Sequence, residues 1–208
     1  AYLYDPNTVD LVDGSLVRLG LHDEAFEATR KPLVATFRCR AVPGWTLDVV
    51  NVHLASKRHQ RGVFAPEQPG FDPHHARRVE QAACVNDHLG TLGARDYYVT
   101  GDFNDYEFSA TLRAVCGAQA VNMVDRLPPA QRYDYNHRGV SLVLMHGVVS
   151  AEQADSERVE YEILHGNELL GVTPGEPLEK PSDHAYVIAR FAPPAAERAG
   201  DSPVTLAD

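Results

Sequence analysis

The sequence predicts an α/β fold of two packed sheets flanked by helices. Three observations carry this reading: many short strand-like runs with few helices between them, long connections at strand ends, and an ordinary globular composition of 44% hydrophobic and 23% charged residues. A chain of 208 residues suits one domain. We place that domain at residues 1–191 and read residues 192–208, rich in Pro, Ala and charge, as a linker or frayed tail.

In chain order, residues 1–3 and 9–19 read as short strands, separated by the Asp5-Pro6-Asn7 and Asp13-Gly14 turn signals. Pro32 introduces a period-2 stretch over residues 33–40. Val42-Pro43-Gly44-Trp45 breaks it, and residues 46–54 (TLDVVNVHL) form the returning strand of a hairpin. Residues 55–73 are polar and rich in Gly and Pro, a long connection of the kind that is either functional or disordered. Residues 75–92 show helical spacing through Val79, Ala82, Ala83, Val85 and Leu89, with Gly90 and Gly93 as stop signals. A strand over residues 96–100 then runs into Gly101-Asp102-Phe103-Asn104-Asp105.

A short helix over residues 108–115 ends at Gly117, and residues 120–127 lead into the Pro128-Pro129 break. Residues 133–150 read as two strands with a turn at His137-Arg138-Gly139. Residues 159–164 and 182–191 supply the last two strands.

Charge and composition exclude several function classes. The net charge is −10, which argues against nonspecific, charge-driven wrapping of nucleic acid; a phosphodiester substrate would need a cation to supply the missing positive charge. No apolar run approaches a membrane span, and the opening AYLYDPNTV lacks the basic start and apolar core of a signal peptide. Opening on Ala1 without a starting Met, the chain reads as a segment of a longer precursor. Cys39, Cys84 and Cys116 lack metal or redox spacing and read as ordinary thiols, with one disulfide and one free thiol as the alternative.

Three places could carry chemistry. After the strand at residues 97–100, Asp102 and Asn104 lie two residues apart and share a face, a pairing that suits a hard divalent ion and a water beside it. The bland alternative is a polar turn in which Asp105 or Ser109 caps the next helix. In Asn51-Val52-His53-Leu54-Ala55-Ser56-Lys57, Asn51 and His53 share a face, and Lys57 lies just beyond, where a lysine can hold a phosphate oxygen. A hydrogen-bonded strand histidine would look the same. In Ser182-Asp183-His184, the Asp and His face opposite ways on a strand, so each must find its partners elsewhere. The Arg77-Arg78 pair could touch phosphate, or form a solvated face or an internal ion pair; His74 and His75 read as solvated.

Taken together and in order, NVHLASK, RRVEQA, GDFND, YDYNHRGVSLVLMHGVVS and PSDHAYV resemble the endonuclease/exonuclease/phosphatase superfamily, nearest its bacterial secreted nuclease-like branch, over nearly all of residues 1–191. The resemblance implies a two-sheet sandwich in four layers (αββα), here without its first strands. It also implies metal-dependent phosphodiester hydrolysis with Mg²⁺, or Mn²⁺ or Ca²⁺, a nucleic acid or other phosphodiester as substrate, and a place outside the cell or on its surface. Asp102 and Asn104 would position the attacking water, with Asp183 joining them around the metal. His184 would act as general base or stabilise the transition state, His53 would stand near the leaving oxygen, and Asn51, Lys57 and Arg78 would contact substrate. A phosphatase of the same superfamily, or a catalytically dead binding or structural domain, is the alternative.

Two departures from the pattern stand out. The Asn and metal-binding Glu that the superfamily carries on earlier strands would precede Ala1, and Glu24 and Glu27 are poor substitutes. Met145 stands where the pattern has an Asp that orients and charges the catalytic histidine, so His184 is expected to lack its carboxylate partner.

Overall fold

A computed structural model describes residues 1–58, 60, 61, 66, 68, 70–137, 139–170 and 182–194. From the N-terminus come β1 (Val9–Leu11), β2 (Val17–Arg18), β3 (Leu33–Cys39), β4 (Thr46–His53), α1 (His75–Gly90), β5 (Tyr97–Asp102), α2 (Ala110–Cys116) and β6 (Ala120–Asn122). β7 (Tyr135–His137), β8 (Val140–Leu142), β9 (Met145–Ser150), α3 (Ala151–Asp155), β10 (Val159–Leu164) and β11 (Tyr186–Phe191) follow. The main sheet runs β1-β3-β4-β5-β9-β6, with β2 paired to β3; β10–β11 and β7–β8 are separate two-stranded sheets.

The expected hairpin is β3–β4, antiparallel from Leu33↔Asn51 to Arg38↔Thr46. Its alternation sets what each face does. Val50 and Val52 of β4 and Val99 of β5 point to the side covered by α1 and α2, where they pack with Leu54, Val85, Leu89, Leu112 and Val115 in the larger core. Each such side chain, fully buried, contributes about 1.5–3 kcal/mol. On the opposite face Leu47, Val49 and Tyr98 pack with Val159, Tyr161 and Phe191 of the β10–β11 sheet. Among the described residues, helices, main sheet and β10–β11 make three of the four layers expected. Beyond the reach of β10–β11, the same face of β4 and β5 continues as Asn51, His53, Thr100 and Asp102, which border an open cleft.

The crossover through α1 pairs β4 and β5 in parallel, with Val52↔Gly101 and His53↔Asp102 in register. Gly101 has φ +132°, and a Cβ there would lie 2.0 Å from the Val52 carbonyl oxygen. Only glycine fits.

Several boundaries differ from the sequence reading. Residues 1–3 are not a strand; the Tyr2 hydroxyl instead lies 2.5 Å from the Leu33 carbonyl and 2.7 Å from that of Val49. The run at 9–19 splits because Ser15 turns the chain, its hydroxyl donating to Val12 O at 2.6 Å. Residues 133–150 make three strands instead of two, and the last strand starts only at Tyr186. α2 is capped by the Ser109 side chain, which accepts from Leu112 N at 3.2 Å. The three cysteines are free thiols. Arg138, residues 59, 62–65, 67 and 69 of the long connection, and residues 195–208 of the expected tail lie outside the described residues.

His146 on β9 is fully buried: Asn122 Nδ2 donates to its Nδ1 at 3.1 Å, which leaves Nε2–H to donate to the Asp105 carbonyl at 2.9 Å. Burial pushes its pKa down to about 4, against the opposing pull of the Asp105 carbonyl and the Asp134 and Asp105 charges. An unfolded histidine titrates near 6.5, so only the unfolded chain takes up this proton between those values. Stability from this group is therefore complete above about pH 6.5 and should fall by roughly 3 kcal/mol as pH drops to about 4. Denaturant melts across that window should show the slope, and His146→Gln should flatten it. Gly101→Ala should cost at least about 2 kcal/mol, whereas Gly139→Ala, with φ +81° but open space around it, should cost about 1 kcal/mol.

Candidate active site

The cleft has a volume of about 1280 Å³ and is lined by Asn51, His53, Lys57, Asp102, Asn104, Asp183 and His184, among others. All the expected site residues except Arg78 thus border one cavity. His53 and Asp102 arrive as register partners, and His53 Nε2 lies 3.4 Å from Asp102 Oδ2. Just past β5, Asn104 takes a left-handed φ of 52°, a conformation that Asn tolerates better than most residues. The bend folds Asn104 back on Asp102: its backbone N–H donates to Asp102 Oδ1 at 2.8 Å, and its Nδ2 to Asp102 Oδ2 and to the Leu54 carbonyl, each at 3.1 Å.

Burial raises the pKa of Asp102 above the usual carboxylate value, against the Asn104 N–H and the charges of His53 and His184. Burial likewise lowers His53 below the usual histidine value, with Arg30 and His184 adding to the effect and Asp102 opposing it.

His184 overturns the expectation that it lacks a carboxylate. Its Nδ1 lies 2.5 Å from Asp134 Oδ2, and Asp134 is fully buried. Asp134 Oδ1 accepts the backbone N–H of Leu144 at 2.6 Å and of Met145 at 3.0 Å. The carboxylate thus sits against the backbone of residue 145, where the superfamily pattern would carry one on the side chain. The Asp134 carbonyl also accepts Ala185 N–H at 2.7 Å, and Tyr135, stacked on the His184 ring at 5.0 Å, forms a β-bridge with it. Burial opposes the charged form of His184, but the hydrogen bond and charge of Asp134, with Asp102 and Asp183 adding, hold its pKa above the usual histidine value. Sequence reasoning missed Asp134 because it lies 50 residues from His184, in a loop before β7.

Arg78 does not reach the cleft, which corrects its assignment to substrate. It is fully buried, with Nε 3.3 Å from Asp105 Oδ2 and NH2 against Asp72. Lys57 joins the same cluster, its Nζ 2.7 Å from Asp105 Oδ1 and 3.3 Å from Asp72 Oδ2. Thr111 donates to Asp105 Oδ2 at 2.7 Å. Two cations and two carboxylates balance, and despite the cost of burial Arg78 and Lys57 draw the Asp72 pKa down to about 2. Losing one member of such a cluster leaves a buried charge unpaired, at about 3–5 kcal/mol. The internal ion pair is the correct reading of Arg78, and Asp105 serves this cluster; it does not cap α2.

Among the described residues no group of three or more His, Cys, Asp or Glu side chains is placed to hold a metal ion by itself. Both Asp102 oxygens are engaged by Asn104, and Asp183 is exposed. Calorimetric titration of the free chain with Mg²⁺ should accordingly give no binding tighter than about millimolar, and Asp102→Asn should leave that result unchanged. Submillimolar binding lost on that substitution would restore Asp102 as a ligand.

No protein-family profile and no curated protein matches the chain. Solved structures do. A mannosyl-6-phosphatase of Bacteroides thetaiotaomicron, Bt3783, superposes with a TM-score of 0.58 at 16% identity, over 91% of this chain and 69% of that one. An endonuclease/exonuclease/phosphatase family protein from the same organism gives 0.56 at 16% identity, over 89% and 66%. D. rerio TDP2 complexed with single-strand DNA product gives 0.56 at 16% identity, over 88% and 68%. The chain therefore has the α/β sandwich fold of the endonuclease/exonuclease/phosphatase superfamily.

Proposed function

We propose that the chain is a phosphodiester hydrolase of nuclease type. The observation that supports this best is a pair of histidines facing one cleft, each against its own carboxylate: His53 with Asp102 and His184 with Asp134. Their shifts run in opposite directions, which is how a site separates a proton acceptor from a cation near neutral pH. The fold shared with a phosphatase and with a DNA-bound protein is consistent with phosphoester chemistry. Met145 and the metal-binding Glu that would precede Ala1 are the two grounds for a catalytically dead domain, and Asp134 against His184 speaks against the first of them.

In this reading a water beside Asp102 and Asn104 attacks phosphorus. Asp102, made more basic by burial, takes the water's proton as the new P–O bond forms. Cationic His184 lies against the phosphoryl oxygens and stabilises their growing negative charge. The opposite P–O bond breaks with its electron pair going to the leaving oxygen, and His53, 3.4 Å from Asp102, relays the proton that Asp102 has gained to that oxygen. A divalent cation, Mg²⁺ or Mn²⁺ or Ca²⁺, would further neutralise the phosphate, taking its ligands largely from water and the substrate's own oxygens. A place outside the cell or on its surface, as the resemblance implies, belongs to the same proposal.

Asp134→Asn keeps an oxygen for the Leu144 and Met145 N–H groups while removing the charge beside His184. It should lower kcat on bis(p-nitrophenyl) phosphate with Mg²⁺ by about 10²- to 10⁴-fold, with KM little changed. Adding Met145→Asp should recover part of the loss by returning a carboxylate from β9. Wild-type kcat in Asp134→Asn would remove His184 from the chemistry.

A further inference from the structure

A second cavity of about 450 Å³ opens beside the cleft, lined by Arg30, His53, Ser56, His74 and Arg77 together with small and apolar neighbours. It shares Arg30, His53 and Ser56 with the cleft, so the two are continuous. Among the described residues no carboxylate lines it. In a chain with 29 acidic and 19 basic residues that is an unusual local balance.

The walls are held from inside. Gln81, fully buried, accepts the Ala55 N–H at 2.9 Å and donates to the Ala25 carbonyl at 2.8 Å and the Thr29 hydroxyl at 3.1 Å. One side chain therefore joins the segment after β4 to the segment that carries Arg30. Arg77 stands one helical turn before Gln81 on α1. Arg30 and Arg77 have no carboxylate partner among the described residues, whereas Arg78, Arg158, Arg126 and Arg190 each have one. Two uncompensated guanidinium groups at one cavity favour an anion with several oxygens, which each can grip in bidentate fashion.

We propose that this side pocket binds the phosphate next to the scissile one, through Arg30 and Arg77, so that the favoured substrate is a nucleic-acid strand and not an isolated phosphate ester. The proposal rests on the phosphodiesterase reading above and narrows it. It also accounts for how a chain of net charge −10 holds a polyanion: the attraction is local, within a Debye length of about 8 Å, where distant acidic residues are screened.

The test is fluorescence anisotropy with a short labelled single strand across a salt series, in EDTA so that no strand is cut. Three proteins are compared: wild type, Arg30→Gln with Arg77→Gln, and Arg126→Gln with Arg190→Gln, which removes the same charge elsewhere. The pocket variant should bind at least about tenfold more weakly at about 0.1 M salt, with a salt slope shallower by about 0.7 for the one phosphate released. The control variant should match wild type. A dinucleoside monophosphate, which has no neighbouring phosphate, should compete equally well against both.

Equal loss in the two double variants, no loss in either, or an equal loss for the dinucleoside monophosphate would each overturn the subsite, as would a wild type that does not bind the strand. Hydrolysis of bis(p-nitrophenyl) phosphate, followed in parallel with Mg²⁺, reports on the phosphodiesterase reading alone. Its absence beside an intact pocket effect sinks that reading and leaves the anion site standing.

Discussion

The parallel pairing of β4 with β5 is the constraint on which the cleft depends. Because His53 and Asp102 are register partners, the ends of two strands deliver a histidine and a carboxylate side by side with no loop to place them. The approach is close enough that the Val52 carbonyl occupies the space of a side chain at position 101. The alternation of the same two strands decides that Val52 and Val99 join the core while Asn51, His53, Thr100 and Asp102 face the cavity. A slip of one residue would exchange the two sets.

Around that pairing the cleft is fastened by polar groups that, Lys57 apart, stand behind its lining. The cluster of Lys57, Asp72, Arg78 and Asp105 ties the segment after β4 to α1 and to the segment after β5. Asp134 does the same on the far side, joining the loop before β7 to the start of β9 and to the residues that precede β11. Both devices bury charge, and both do so with every carboxylate oxygen engaged, the condition under which buried charge is tolerated. The cleft is therefore tied down where its carboxylates are buried and open to solvent along its length.

Much of this was legible in the sequence. The period-2 run of β3 and β4, the helical spacing of α1, and the GDFND and SDH motifs each depend on neighbours a few residues away, and they set His53, Asp102, Asn104 and His184 at element ends that the fold brings to one cleft. What failed depended on distant ones. Arg78 looks like a phosphate contact until Asp72 and Asp105 are seen closing over it. Met145 looks like a lesion until Asp134 is seen behind it, and nothing in the local pattern at 134 signals that its side chain will turn toward a histidine 50 positions on. Even the ends of elements followed this rule: the strand expected to stop at Thr100 runs to Asp102 because β4 and β9 both continue beside it.

The carboxylate behind His184 has a consequence for how such a site can change over generations. Asp134 meets the His184 ring from one segment, and residue 145, whose N–H the Asp134 carboxylate accepts, borders the same cleft from another, so a carboxylate at 145 would be a second candidate partner for that ring. Moving between the two arrangements passes through a chain with both acids or a chain with neither. With both, the imidazole keeps a partner and its cationic form is favoured further. With neither, the ring loses its orientation and its charge together. Only the first route keeps the histidine useful throughout, so an aspartate in the loop has to arrive before the strand can give its own up.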